Sequence, residues 1–198
     1  MKIILENQIY KEIIGLLDEN EITEIENTFS SPFFPWYMSR TKSTAHPETI
    51  EKFKNNANVK EYMQLVHVFY NNETGDTRVN SDFAQLAIKP FQKLLAELNL
   101  NDAILHRCKA NFQTQHKNSD SDSYNTPHID LPNPHYVMIY YVNDSDGDTF
   151  LFNNDNQLIT RISPKRGKML IFDGLILHAG SHPVTSDYRI VINYDFTV

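Results

Sequence analysis

The chain has 198 residues, of which 40% are hydrophobic, 12% aromatic and 22% charged; at about 100–200 residues per domain this is one domain, able to bury about 70% of its unfolded surface. The composition excludes disorder and collagen-like repeats, and no run of about 18 apolar residues is available to span a bilayer. With 18 Lys+Arg against 25 Asp+Glu the formal charge is −7, which opposes attraction to phosphates and argues against bulk nucleic-acid binding. The single cysteine, Cys108, excludes an internal disulfide and a thiolate-rich zinc site, so any metal chemistry falls to histidine and carboxylate. Met1–Leu5 meets Glu6 and Asn7 before a signal core could form, and the expectation is a soluble, cytoplasmic protein.

In chain order, Ile9, Ile13, Leu16 and Leu17 make a stripe at helical spacing, and Ile22, Ile25, Glu26 and Phe29 suggest a second short helix. Pro32 and Pro35 end that region, with the aromatics around them wedged against the core. Residues 40–60 are polar and weakly patterned. Residues 62–70 read as a strand and 83–98 as an amphipathic helix, in which Pro90 marks a kink or the true start. From residue 103 the period changes to alternation: 104–112, 135–143, 149–152, 158–162, 168–172 and 189–196 are short runs bounded by turn residues, the pattern of antiparallel strands in a β barrel or jelly roll. The polar stretch 116–123 lacks core-forming residues and reads as a flap beside the segment that comes after it. Lys165, Arg166 and Lys168 read as a solvated turn. Asp144, Asp146 and Asp148 begin like a calcium loop, but glycine falls at the wrong place, and the segment reads as a hairpin turn with Gly147 at a positive backbone angle.

Just beyond the flap stands His128-Ile129-Asp130. In an extended strand residues two apart face the same way, so one imidazole and one carboxylate converge. A third ligand from a distant strand would complete a two-histidine, one-carboxylate facial triad, and His178 is the candidate. His182 is the rival. Arg189 opens a strand of alternating character; buried there, its planar fork demands an anion, and among its own strand neighbours only Asp195 offers one. Of the other histidines, His46 and His116 sit in polar loops, His106 in a strand and His135 in a turn. His67, flanked by Val66 and Val68, reads as a hydrogen-bonded core histidine or, less simply, a substrate contact.

Tyr124, Pro127-His128-Ile129-Asp130, Tyr140-Tyr141-Val142-Asn143-Asp144, Asp146-Gly147-Asp148-Thr149-Phe150, Phe172-Asp173, His178, Pro183-Val184-Thr185 and Arg189 succeed one another in the order seen in the iron(II)- and 2-oxoglutarate-dependent dioxygenases. The chain resembles their prolyl-hydroxylase-like branch over residues 104–197. Phe34-Pro35-Trp36-Tyr37 and 66–70 are similar to small oxygenases of bacteriophage genomes. The resemblance implies an α+β, mainly β fold: a double-stranded β-helix (jelly-roll) core over 101–198, with N-terminal helices of the 1–100 support packed on one sheet, all in a single 1–198 domain. It implies His128, Asp130 and His178 as Fe(II) ligands, Arg189 as partner of the far carboxylate of 2-oxoglutarate, and Tyr141 as its second contact. Asn111 stands where many relatives place a tyrosine on that carboxylate. Arg189 comes eleven positions after His178, one or two more than the usual pattern, and the excess coincides with His182. The implied activity is hydroxylation of an unactivated C–H bond, a prolyl or other peptidyl residue leading, with O2 consumed, succinate and CO2 formed, and ascorbate sustaining turnover. Val137, Ile139 and Ile171 are the expected apolar walls. A nucleobase or small-molecule substrate, or a jelly-roll binding or virion-associated module without turnover, are the other readings.

Overall fold

The computed structural model describes residues 2–5, 8–39, 47–72 and 78–198; His46 lies outside them. In chain order the elements are α1 (Lys2–Leu5), β1 (Tyr10–Ile13), α2 (Glu19–Phe29), β2 (Tyr37–Met38), α3 (Pro47–Phe53), β3 (Leu65–Asn71), β4 (Arg78–Val79), α4 (Ala84–Leu98), β5 (Ile104–Thr114), β6 (Tyr136–Tyr141), β7 (Thr149–Phe152), β8 (Leu158–Ile162), β9 (Met169–Asp173), β10 (Leu177–Gly180) and β11 (Tyr188–Thr197). A large antiparallel sheet runs β1-β9-β6-β11-β5-β3-β2, with β4 paired to β3, and a small sheet runs β10-β7-β8. This is a mainly β jelly roll with helices on one face of the large sheet.

Strand alternation divides the large sheet into two unlike faces. Met138, Tyr140, Ile171, Ile190, Ile192, Tyr194, Cys108 and Ala110 pack with Phe29 of α2 and with Phe91 and Leu94 of α4. The opposite residues, Val137, Ile139, Tyr141, Leu170, Phe172 and Val191, close with Leu151 and Ile162 of the small sheet. Ile171, expected as an apolar wall of the site, therefore lies on the helix side: Leu170 and Phe172 take the inner positions. Asp18 caps α2 by accepting from the Asn20 and Glu21 amides, and Glu21 completes the capping box, which fixes where the helix starts. In α4, Pro90 lies inside the helix and Asn99 terminates it in the left-handed region at φ 54°; the helix starts at Ala84, so Pro90 does not mark its beginning.

Three local expectations fail for tertiary reasons. Residues 10–13 form a strand instead of a helix, because β9 offers an open edge that pairs Tyr10 with Phe172 and Ile13 with Met169. The 165–168 turn is bound to protein: Arg166 bonds Glu26, Glu19 at 2.5 Å and Thr23 at 2.7 Å, and Lys168 reaches Glu12 at 2.6 Å. The segment 142–148 crosses between the two sheets instead of closing a hairpin, and Gly147 is not among the glycines at positive φ. Its lack of a side chain is needed for space: a Cβ there would lie 2.6 Å from the Ser181 carbonyl and 2.8 Å from Arg189 Cδ.

Candidate active site

His128 and His178 face each other across an antiparallel bridge that extends the small sheet at its β10 edge, each amide donating to the other's carbonyl at 3.0 Å. Asp130, two residues beyond His128, turns to the same side. The three residues bring ligand atoms within 4.8 Å of one another; His178 Nε2 is 3.2 Å from Asp130 Oδ2, and His128 Nε2 is 3.9 Å from Oδ1. Both Nδ1 atoms lie against backbone carbonyls two residues back, Thr126 at 3.3 Å and Ile176 at 3.1 Å. With Nδ1–H donating there, each ring presents its Nε2 toward Asp130.

The electrostatics suit a cation. Burial, with the neighbouring His178, pushes the His128 pKa down to about 4, leaving that ring neutral at pH 7. Burial also opposes charge on His178, but its bond to Asp130 outweighs this and raises its pKa. For Asp130 burial acts upward and is overcome by Arg107 and the two imidazoles, which hold the carboxyl well below its ordinary value. Arg107, on β5, pairs with Asp130 through Nη2 and lies 2.7 Å from Asp195 Oδ2 through Nε. Asp195 is fully buried, and its pKa is raised to about 7 by burial and by the Asp130 charge.

Arg189 lies six residues before Asp195 on the same inward face of β11. It is 3% exposed and donates to the Gly147 carbonyl at 2.6 Å, Gln113 Oε1 at 2.7 Å and Thr149 Oγ1 at 2.9 Å. All three acceptors are neutral, and among the described residues its guanidinium forms no ion pair. Asp195, the anion its strand could offer, is taken by Arg107. Burial presses the Arg189 pKa below its ordinary value. Tyr141 reaches this group indirectly: its hydroxyl donates to Thr149 Oγ1 at 2.9 Å, and burial raises its pKa. Asn111 lines the cavity, with its amide oxygen buried and without a hydrogen-bond partner.

One cavity of about 360 Å³ contains His128, Asp130, His178, Asn111, Thr149 and Arg189, with Ile139 and Val191 as apolar walls. Met38, Ser39 and 61–64 complete its lining; Met38 and Met63 are exposed to solvent, which makes this end its mouth. His182 is elsewhere: buried, with Nδ1 on the Thr114 carbonyl at 2.9 Å and its ring edge-on to Tyr62. His67 is a core residue, bonded to the Pro35 carbonyl and Ser81 Oγ at 2.8 Å each and packed on Phe34 and Phe69. His135, expected in a turn, is 2% exposed because its ring fills the space a side chain at Gly174 would need. The 116–126 stretch is tied down by Lys60 to Asn118 and Asp120 and by Arg161 to Ser121 and Asp122. Sequence reasoning missed Arg107, Gln113 and Thr149. The inward parity that Arg107 and Gln113 share with Asn111 on one strand was the available signal.

No protein-family model and no curated protein matches the sequence. Solved structures do match in shape. An oxidoreductase of the 2OG-Fe(II) oxygenase family from Burkholderia pseudomallei superposes with a TM-score of 0.65 at 13% identity, covering 98% of this chain and 87% of that one. The prolyl hydroxylase of Trichoplax adhaerens, in complex with a hypoxia inducible factor oxygen degradation domain peptide fragment, gives 0.59 at 16% identity over 97% and 84%. The viral collagen prolyl hydroxylase of Paramecium bursaria Chlorella virus-1, in a 2OG complex, gives 0.55 at 16% over 98% of each chain. The chain has the fold of the 2OG-Fe(II) oxygenases. Among the described residues no helix is long and apolar enough to cross a membrane.

Proposed function

We propose that the protein is an Fe(II)- and 2-oxoglutarate-dependent dioxygenase that hydroxylates an unactivated C–H bond, with a prolyl or other peptidyl group as substrate. The observation that carries this reading is the sharing of one cavity by the His128–Asp130–His178 cluster and a buried arginine with no anionic partner among the described residues.

The residues fit the groups. Two imidazole Nε2 atoms and one carboxylate oxygen are the donor set of a facial iron(II) triad, which leaves three positions open. The Arg189 fork matches the far carboxylate of a dicarboxylic cosubstrate, and Gln113 and Thr149 hold that fork in place. When bound, iron and 2-oxoglutarate supply the oxidation: the cosubstrate loses CO2 to become succinate, one atom of O2 entering succinate and the other the substrate C–H bond. The protein's part is geometric. The Thr126 and Ile176 carbonyls hold the imidazole tautomers, Arg189 sets the cosubstrate's direction, and Ile139 and Val191 exclude water beside it. Tyr141 supports Arg189 through Thr149, and Asn111 flanks the cosubstrate. The peptide bound to the Trichoplax neighbour favours a peptide at the mouth beside β2.

The purified protein with Fe(II), 2-oxoglutarate and ascorbate to keep the iron ferrous should form succinate slowly even without substrate, and Asp130→Ala should abolish it. Equal turnover in that variant would overturn the assignment. Absence of turnover in the wild type, with metal bound, would support a binding module instead. Incubation with a host extract, then a search for peptides or small molecules that gain one oxygen atom, identifies the substrate.

A further inference from the structure

Arg107 and Asp195 are direct partners in the β5–β11 register, both on the inward face, 9% and 0% exposed. Placing Asp130, Arg107 and Asp195 together in the interior is costly, and such a group stabilises a fold weakly at best compared with apolar packing. Geometry gives it another use. Arg107 Nη2 holds Asp130 Oδ1, which stands 3.9 Å from His128 Nε2, whereas Oδ2 is free of Arg107 and lies closer to a ligand nitrogen, 3.2 Å from His178 Nε2. Resting on the iron-site reading, we propose that Arg107, anchored by Asp195, is a positioning residue that makes Asp130 a one-oxygen metal ligand.

A carboxylate with both oxygens free can take two coordination positions, and a triad that must leave three open cannot allow this. Arg107 occupies the second oxygen. A guanidinium on Asp130 alone would also cancel the carboxylate's charge and weaken it as a ligand. Asp195 sets a second carboxyl oxygen 2.7 Å from Arg107 Nε, from the side of β11, and so shares the guanidinium with Asp130. Asp195 is itself held beside a register shift between Asp195 and Phe196. His135 Nε2 stands 3.9 Å from its other oxygen, with His135 Nδ1 committed to the Asn133 carbonyl at 2.8 Å. The device thus runs from the edge of the small sheet, through Asp130, to a strand that supplies no ligand.

Mn(II) affinity of the full chain, measured by calorimetry with no cosubstrate, tests the role of Arg107, with the Co(II) absorption spectrum as a second readout. Arg107→Met should weaken Mn(II) binding about 10- to 100-fold, the range seen when the outer partners of metal ligands are removed, and should change the Co(II) band shape as the second carboxylate oxygen is released. Arg107→Lys should recover part of both, and Asp195→Asn should lose less than Arg107→Met. A merely structural role would lower the melting temperature and leave the affinity and spectrum of the folded protein alone. A folded Arg107→Met with wild-type affinity and spectrum overturns the inference. If that variant does not fold, Arg107→Lys and Asp195→Asn decide by the same readouts, and wild-type behaviour in both overturns it. Wild-type protein that binds Mn(II) no better than Asp130→Ala defeats the iron-site reading itself, a different result from any of these.

Discussion

Replacing Arg189 with methionine removes the buried charge that the proposed function pairs with the far carboxylate of 2-oxoglutarate. The side chain is 3% exposed, and its three acceptors are the neutral oxygens of Gly147, Gln113 and Thr149. A carboxylate entering the cavity would therefore be its first ionic partner among the described residues. Truncating one side of a buried, hydrogen-bonded charge pair costs about 2–5 kcal/mol, and at about 1.4 kcal/mol per factor of ten this is a loss of roughly 30-fold to several thousand-fold in affinity. The full burial of the guanidinium places the expectation in the upper part of that range. The measurement is calorimetric binding of 2-oxoglutarate to Mn(II)-loaded wild-type and Arg189→Met protein. Pyruvate, a 2-oxo acid without the far carboxylate, supplies the control: it should bind both proteins weakly and equally. If Arg189→Met binds 2-oxoglutarate as tightly as wild type, the dicarboxylate lies elsewhere and the orientation of the cavity is wrong. If pyruvate loses as much as 2-oxoglutarate, Arg189 acts through the shape of the site and not through the far carboxylate.

Gly147→Ala should be destabilising by about 1–3 kcal/mol as an overpacked site, since the new Cβ would lie 2.6 Å from a backbone oxygen; denaturant melts and a higher 2-oxoglutarate requirement check it. His182→Gln should leave Mn(II) affinity unchanged while His178→Gln abolishes it, because His182 faces Thr114 and Tyr62; the reverse result would exchange the two roles. Asp146 accepts from the Val184, Thr185 and Ser186 amides and the Thr185 hydroxyl, and although burial acts upward these bonds bring its pKa from 3.8 to about 2. A depressed carboxyl pKa stabilises the fold above pH 3.8, and the contribution is lost as pH falls toward 2. At full strength such a shift is about 2 kcal/mol, and part exposure reduces it to about 1 kcal/mol. Asp146→Ala should therefore melt earlier than wild type at about pH 6, with the gap closing near pH 2; a gap that persists in acid would assign the effect to packing.

The regular part of the fold was readable because the jelly-roll strands are bounded by turn residues and alternate sharply. β7 and β8 fall on the residues the pattern selects, and β5, β6, β9 and β11 differ from it only at their ends. α2 and α4 were readable from their stripes. β1 was not, because Ile9, Ile13, Leu16 and Leu17 fit a helical stripe and nothing local reports that β9 has an unpaired edge. Charged turns misled in the same way. The fate of Arg166 and Lys168 depends on Glu19, Glu26 and Glu12, some 140–156 residues distant in the chain, and a hydropathy pattern carries no information about such partners.

The candidate site shows the same division more sharply. Its metal side is specified by short-range geometry, an i, i+2 pair on an extended segment opposite a histidine on β10, so residue types and spacing suffice to suggest it. Its mouth is made of Met38, Ser39 and the coil residues 61–64, where no period constrains the direction of a side chain, and the substrate is correspondingly illegible. Between the two lies the inward ladder of β5 and β11, where Gln113 stands opposite Arg189, Asn111 opposite Val191, Lys109 opposite Asn193 and Arg107 opposite Asp195. Alternation alone marks these as one face, yet a face this polar contradicts the expectation that inward strand positions are apolar. Polar residues at inward positions are tolerated only where partners or a ligand satisfy them. That run of exceptions on two neighbouring strands, more than any single motif, is what distinguishes a jelly roll with a functional interior from one whose sheets merely pack together.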